Sequence, residues 1–480
     1  MPVRKVECDA AVHPRLITEN ACVAITRRTT LRKGFLFPWA GSGDAVERGA
    51  AAAWSRSATT TARWDAVGQL FAYSAGLAQR ATGLDWHQLV LVGTHHHSQA
   101  TPRDRELAES TRVLHRTMAC AINAQLRMRG FDAPGSVWDK RQTHWKTLVD
   151  VEAVGSRLVY DHLNCVGAGW VEHPLDVPMG HHLGFELWKA GGVAVPKPDN
   201  PYFSKRMPKE IELRLTPPIP LVRKFGGDVD AMVGWLSEVR DARLKVLAAA
   251  RVGPVRGVAK MRRVHPWDEP DTDKETIGRR VKVFGVGQGG PEGEQTRRAC
   301  ERDVRGHREG HAARVVAWKD GDHTSPFPPG TLLGHTYLGM PLAAASSDAV
   351  LGTRHPSREE VEAELAAEWA AREREEETRR TRGRIRAERR ERAARVADDE
   401  AFSRELEALQ QRVRVMDPTR KRSGLTGLLE PLTPSKVVRR ELGDQRPDVE
   451  EKGRAVVLRT RERQASRPRR RRRRNNDPPE

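Results

Sequence analysis

Two segments of this chain hold residues that can do chemistry together. The first is Leu89-Val90-Leu91-Val92-Gly93-Thr94-His95-His96-His97, and the second is Leu158-Val159-Tyr160-Asp161-His162-Leu163-Asn164. Strand side chains alternate between faces, so in a strand His95 and His97 share one face and His96 takes the other. Two imidazoles so placed can chelate a divalent ion. On a helix, Tyr160 and Asn164 are four apart and share a surface. The Asn164 carbonyl is a third ligand suited to a hard cation, and Tyr160 is a nucleophile. A phenol attacks weakly at neutral pH. A metal that polarises a phosphate and orients it for in-line attack supplies what the phenol lacks. These parts point to attack of a tyrosine on a phosphodiester. Singly, each has an ordinary explanation: a His triplet can be a surface turn, and a tyrosine a core residue with its hydroxyl at the edge. Their occurrence together, in this order, singles them out.

The elements that must position these residues are legible from periodicity. Leu89 to Val92 is an apolar, β-branched-rich run that reads as a buried strand, extended here over Trp86 to His97. Asp150 and Glu152 suit a helix start, which predicts a helix over Val151 to Leu163. Ala21 to Thr26 and His144 to Val149 read as strands, and Arg63 to Thr82 and Asp104 to Met128 as helices. This interleaving predicts an α+β unit, a small antiparallel sheet with helices on one face.

The same stretches resemble a known family, the single-tyrosine transposases with a His-hydrophobic-His motif, in the REP-associated tyrosine transposase branch. Cys22-Val23-Ala24-Ile25-Thr26-Arg27-Arg28 with Phe35-Leu36-Phe37-Pro38 resembles the family's first strand and the segment after it. Val90 to His97 resembles the strand that ends in its metal histidines. Trp138-Asp139-Lys140-Arg141 and then Leu158 to Pro174 resemble the tyrosine helix and the stretch that follows. The resemblance spans residues 15 to 185 and implies a ferredoxin-like βαββαβ sheet. It implies His95, His97 and Asn164 as ligands of Mg²⁺ or Mn²⁺ and Tyr160 as the nucleophile. It also implies single-stranded or hairpin DNA as partner, cut through a 5′-phosphotyrosine in DNA transposition. This chain departs from the family in having His96 between the histidines, Gly93-Thr94 before them, Cys165 after Asn164, and Trp170 before Val171. The alternative is a catalytically inactive nucleic-acid-binding protein on the same scaffold. A third reading is an interaction protein whose charged helix carries the function.

A formal net charge of +19 over 480 residues fits a phosphate-rich partner. Arg27, Arg28, Arg32 and Lys33 follow the first strand as a candidate backbone grip, equally readable as a solvated loop. Trp138 beside Lys140 and Arg141 offers a stacking ring with cations, or a core residue with solvated neighbours. The DNA-binding residues expected are Arg27, Arg28, Lys140 and Arg141. The five cysteines (Cys8, Cys22, Cys120, Cys165 and Cys300) have no CxxC spacing, which argues against a zinc ribbon or a disulfide framework. No apolar run is long enough to span a membrane and no signal-peptide pattern opens the chain, so a cytoplasmic location is expected.

The expected organisation is a leader at 1–19, the endonuclease domain at 20–185, an accessory region at 186–355, a charged helix at 356–415 and a disordered basic tail at 416–480. In the accessory region, Pro196 to Pro220 reads as an extended connection and Val229 to Ala250 as a helix. Gly285-Val286-Gly287-Gln288-Gly289-Gly290 formally matches a dinucleotide fingerprint. Pro291 and Gly293 interrupt the helix that must open there, and no acidic partner stands about 20 positions on, so a glycine-rich turn is the better reading. The charged helix has strong helix-former composition but too few apolar residues for a sustained coiled-coil seam. Weak pairing around Phe402, Leu406, Leu409 and Val413 is the most it offers. The tail ends in the run Arg469 to Arg474, a nonspecific nucleic-acid arm by composition.

Overall fold

The computed structural model describes residues 20–38, 64–103, 107–268, 282–329, 339–344, 349–351 and 355–416, with Leu16 and Thr331. Apart from Leu16 and Met416, the expected leader and basic tail lie outside the described residues. In chain order the elements are β1 (Val23–Arg28), α1 (Ala66–Thr82), β2 (Asp85–Leu91), β3 (His95–Thr101), α2 (Leu107–Met128), β4 (His144–Leu148), α3 (Val151–His162), α4 (Asn164–Gly167), β5 (His182–Leu183), β6 (Gly192–Pro196), β7 (Glu210–Arg214), α5 (Ile219–Lys224), α6 (Val229–Ala250), α7 (Val258–Met261), β8 (Phe284–Gly285), α8 (Gly290–Lys319) and α9 (Arg358–Met416).

Six of these strands form one sheet in the order β5-β2-β3-β1-β4-β8. β1, β2, β3, β4 and β5 pair antiparallel, whereas β8 joins the edge of β4 in parallel. β3 lies centrally, so both of its faces are buried and it must alternate chemistry rather than merely polarity. Phe71, Leu114 and Met118 from α1 and α2 are buried on one side of the sheet, with Trp86 donating from Nε1 to Ala75 O at 3.1 Å. The N-terminus of α1 is capped by Asp65, which accepts from Val67 N and Gly68 N, and Gly83 at φ 72° ends the helix.

The expectation of an antiparallel sheet with helices on one face is corrected in two respects. The sheet is mixed, because β4 would otherwise leave an open edge and β8 pairs with it. Helices also cover both faces. α3 crosses the face opposite α1 and α2, anchored by Gln88 Nε2 donating to Leu158 O at 3.1 Å. A fully buried polar residue such as Gln88 requires such a partner.

The stretch expected to be an extended connection, Pro196 to Pro220, starts at the end of one hairpin strand and holds the other. β6 and β7 pair over five residue pairs. β7 alternates, with Ile211 and Leu213 buried against α1. Tyr73 Oη donates to Pro208 O at 2.7 Å, and Gln79 Nε2 to Arg214 O at 3.0 Å. Gly76 admits this approach, since a Cβ there would lie 2.5 Å from Ile211 Cγ2. α6 forms over the span expected and buries Met232 and Leu236.

The chain divides into two compact units, Met1–Arg379 and Arg380–Glu480. Within the first, the start of α9 is tied down by Arg358 donating to Thr216 Oγ1 at 3.0 Å and by the Arg223–Glu364 pair at 2.6 Å. In the second, the helix exposes Phe402, Leu406 and Leu409. The side chain of Val413 lies outside the described residues.

Candidate active site

The histidines do not end the β2 strand as expected; they begin the next one. Val92-Gly93-Thr94 turns the chain, with Gly93 at φ 64°, and Val92 N–H donates to His95 O at 2.9 Å. The apolar run of β2 and the polar run of β3 are therefore two sides of one hairpin. Pairing with β1 sets Arg28 opposite His95 and Thr26 opposite His97. The predicted alternation follows. His95 and His97 lie with their rings 4.7 Å apart, on the face that α3 covers. His96 points into the other layer, where Nε2 is 2.9 Å from His115 Nε2, Nδ1 is 3.0 Å from Ser98 Oγ, and the ring packs on Phe71 and Trp138. His96 is thus a satisfied core residue.

α3 brings the tyrosine to this face. Its N-cap is Asp150, whose carboxylate accepts from Ala153 N at 2.6 Å. The same carboxylate accepts from Gly287 N at 2.9 Å and from Gln288 N at 3.1 Å. The glycine-rich segment that mimics a dinucleotide fingerprint is therefore a turn whose backbone donors clasp the start of the tyrosine helix. A Cβ on Gly287 would lie 2.3 Å from Ala153 N. Ten residues on from Asp150, Tyr160 emerges 45% exposed, with its ring 6.2 Å from that of His97 and the Arg157 guanidinium 5.1 Å from its centroid. The helix breaks at Leu163, and Asn164 opens α4 with Nδ2 placed 3.1 Å from His97 Nε2. The fold thus gathers His95, His97, Tyr160 and Asn164 on one face.

His97 is the hub. Its Nδ1 lies 3.0 Å from Thr26 Oγ1, 3.0 Å from Arg157 Nη2 and 3.4 Å from Asp161 Oδ1. Nδ1 is thus turned inward, which leaves Nε2 as the nitrogen that faces Asn164. Asp161 is itself held by Arg157 at 2.9 Å and faces Gln99 Nε2 at 3.4 Å. Burial pushes the Asp161 carboxyl up to about 6, and the Arg157 guanidinium pulls it back toward the ionised form. Burial, reinforced by Arg28 and Arg157, pushes His95 down to about 4. Burial and neighbouring His95 and Arg157 hold His97 well below the usual imidazole range. Both rings are accordingly neutral near pH 7, the state that binds a metal.

The donor set fits a hard or borderline divalent ion. Adjacent ligands on an octahedral ion with bonds of about 2.1 Å stand about 3 Å apart. The Asn164 amide and His97 Nε2 already have that separation, and rotating the amide presents Oδ1 in place of Nδ2.

The expected DNA contacts divide. Lys140 and Arg141 are exposed, as is Arg28 at its outer end, and partial desolvation with the nearby Arg32 and Arg141 pushes the Arg28 guanidinium down. Arg28, Arg32 and Arg141 lie near one another, and Tyr160 is among the groups acting on Arg28. Arg27 is spent within the fold, donating to Thr143 Oγ1 at 2.6 Å, and Lys33 is buried with Nζ donating to Trp267 O at 2.9 Å. Trp138 is core, 5% exposed, with Nε1 donating to His115 O at 2.7 Å.

Sequence inspection missed Arg157, Asp161, Gln99 and Thr26. The Arg157/Asp161 spacing of four, bracketing Tyr160, was the available signal. It also missed a second constellation. His162, His182 and Glu186 bring ligand atoms within 4.8 Å of one another, a group able to hold a metal ion. Only His162 lay in the segments first singled out.

The chain matches no family model and no curated protein. Among solved structures it is similar to a REP-associated tyrosine transposase bound to a REP hairpin, at 15% identity, over 34% of this chain and 78% of that one, with a TM-score of 0.23. A superposition that loose transfers neither residues nor topology, and the chemistry rests on the geometry above.

Proposed function

We propose that the protein is a metal-dependent single-stranded DNA endonuclease and strand transferase that works through a 5′-phosphotyrosine, as in DNA transposition. One observation carries the reading: an exposed tyrosine stands over a neutral, carboxylate-backed histidine that also meets Asn164, with a second histidine beside it. The strand order β2-β3-β1-β4, with α1 and α2 as crossovers, supports a ferredoxin-like core within residues 20–185.

His95, His97 and Asn164 would hold Mg²⁺ or Mn²⁺, and the ion would polarise the scissile phosphate and neutralise its charge. Arg28, Lys140 and Arg141 would grip the backbone on either side. Tyr160 Oη attacks phosphorus and loses its proton. The bond from phosphorus to the 3′-oxygen breaks, and that oxygen takes up a proton to leave as a free 3′-hydroxyl. Attack of a 3′-hydroxyl on the phosphotyrosine reverses the step and rejoins DNA, so no nucleotide cofactor is consumed. Among the described residues no helix is long and apolar enough to cross a membrane.

The test is a covalent-adduct assay with labelled single-stranded DNA, including hairpins from the sequence flanking the gene, in Mn²⁺. A band resistant to denaturation is expected, and it should vanish in Tyr160→Phe and in His95→Ala/His97→Ala. A band that survives Tyr160→Phe refutes the assignment. DNA binding without any adduct across those substrates favours the inactive binding protein.

A further inference from the structure

Several buried histidines of this fold have hydrogen-bond partners on the ring. His87 has Thr216 O at 2.7 Å and Thr101 Oγ1 at 2.8 Å, one on each ring nitrogen. His96 likewise has a partner on both nitrogens, and His181 meets Asp65 at 2.7 Å. His162 and His182 differ, as does His307 of α8. Both ring nitrogens of each are buried without a hydrogen bond, and so is Oε2 of Glu186. The nearest polar approach, His162 Nε2 to Glu186 Oε1, is 3.4 Å. A neutral imidazole always carries one N–H, and each orphaned buried group costs about 1–3 kcal/mol. Three of these atoms, one each from His162, His182 and Glu186, can share one partner.

We infer that His162, His182 and Glu186 form a second metal site, for a zinc-class divalent ion, that clasps the end of the tyrosine helix to edge strand β5. It shares no residue with the His95, His97 and Asn164 constellation. Two imidazoles and a carboxylate are a donor set for Zn²⁺, with Co²⁺ as its spectroscopic substitute, and they are poor for Mg²⁺. Donors on a tetrahedral ion with bonds of about 2.0–2.2 Å stand roughly 3.3–3.6 Å apart. The ligand atoms here lie within 4.8 Å, so small side-chain rotations close the site.

The surroundings are arranged for such an ion. Arg240 donates to Glu186 Oε1 at 3.1 Å and leaves Oε2 unpartnered, so the carboxylate is oriented by a neighbour while offering its other oxygen. Phe185 stacks on His162 with centroids 4.8 Å apart and planes at 22°, which fixes that ring. Gly184 keeps the space open. Its φ of −115° suits any residue, yet a Cβ would lie 2.7 Å from His182 Cε1, 2.8 Å from Glu186 Oε2 and 3.2 Å from His162 Nδ1. The glycine is needed for room among the three ligands rather than for backbone freedom.

The experiment uses full-length protein carrying His95→Ala/His97→Ala, so that the result is independent of the endonuclease reading. Metal-free protein is dialysed against Zn²⁺ and the bound metal counted per chain. Co²⁺ is followed by its visible absorption, and melting is compared with and without metal. One tightly bound equivalent, a tetrahedral Co²⁺ spectrum and a higher melting temperature are expected. Adding Glu186→Gln should weaken that equivalent at least about tenfold, the minimum cost even of an outer-shell change. Glu186→Gln is isosteric and keeps an oxygen for Arg240. Gly184→Ala, which removes no ligand, should also exclude the ion. Circular dichroism of the metal-free variants, matched to the parent, separates site loss from misfolding. No bound equivalent in the folded parent, or uptake unchanged by both Glu186→Gln and Gly184→Ala, overturns the inference.

Discussion

Asp150 holds two parts of the chain 137 positions apart, and removing its carboxylate should loosen the tyrosine helix measurably. The side chain does two jobs. It caps α3 through Ala153 N at 2.6 Å, and it accepts from Gly287 N and Gln288 N at 2.9 and 3.1 Å. Loss of a helix N-cap costs about 1 kcal/mol. Hydrogen bonds to a charged acceptor are worth about 1.5–3 kcal/mol when buried. Water reaches the Gly287 contact, so those two donors together are worth about 1–2 kcal/mol rather than the full sum. Asp150→Ala should therefore destabilise by about 2–3 kcal/mol. Asp150→Asn keeps a good cap and loses only the charge, so about 1 kcal/mol is expected. Urea unfolding followed by tryptophan fluorescence gives the totals. Hydrogen exchange gives the location, since the amides of Ala153, Gly287 and Gln288 should lose protection together. Gly287→Ala should reproduce the pattern, because its Cβ would collide with Ala153 N. If Asp150→Ala stays within about 0.5 kcal/mol of the parent, or if Asn is no better than Ala, the clasp is not what holds this helix.

Three further outcomes are expected. Gly93→Ala should cost at least about 2 kcal/mol, since the position sits at φ 64° and a Cβ would lie 2.3 Å from the Phe37 ring; an unchanged melting curve would contradict the turn that starts the histidine strand. Arg157→Met strands the buried Asp161 and should destabilise by about 3–5 kcal/mol, while Arg157→Met/Asp161→Asn should recover more than half of that; additive losses in the double-mutant cycle would refute the coupling. Burial holds His96 at about 3, below its unfolded value near 6.5, so the unfolded chain binds the extra proton and the stability present above pH 6.5 is lost as pH falls toward 3. Asp161, raised to about 6, acts in the opposite sense. His96→Gln isolates the histidine, and it should reduce the acid-side slope between pH 6 and 4 by about 1.4 kcal/mol per pH unit; an unchanged slope would mean His96 titrates normally.

Where periodicity was long and local, the sequence was a sufficient guide. α6 runs over Val229–Ala250 as read, because its apolar positions recur at helical spacing. α3 begins at Val151 because Asp150 caps it, and β1 and β4 follow their β-branched and alternating patterns. The His95/His97 side of the strand was fixed by the two-residue repeat alone, and so was the exclusion of His96. The hairpin β6–β7 escaped notice because prolines surround it and its buried face is short, marked by Val195, Ile211 and Leu213.

What the sequence by itself determined about this protein is therefore the local inventory: which residues could ligate, which could attack, and which faces they share. The tertiary structure decided their company. Only folding sets Asp161 behind His97, because Asp161 rides on a helix and His97 on a strand that meet through packing. Only folding gives the glycine-rich turn its occupant, the carboxylate of Asp150, in place of a phosphate. Only folding turns Arg27, Lys33 and Trp138 inward and leaves Arg28, Lys140 and Arg141 outside. His162, His182 and Glu186 show the same thing most sharply. They span 24 positions with no motif spacing, and they become a constellation because an edge strand pairs beside a helix end. Local periodicity is a property of neighbours in the chain, whereas a site is a property of neighbours in space, and packing alone converts one into the other.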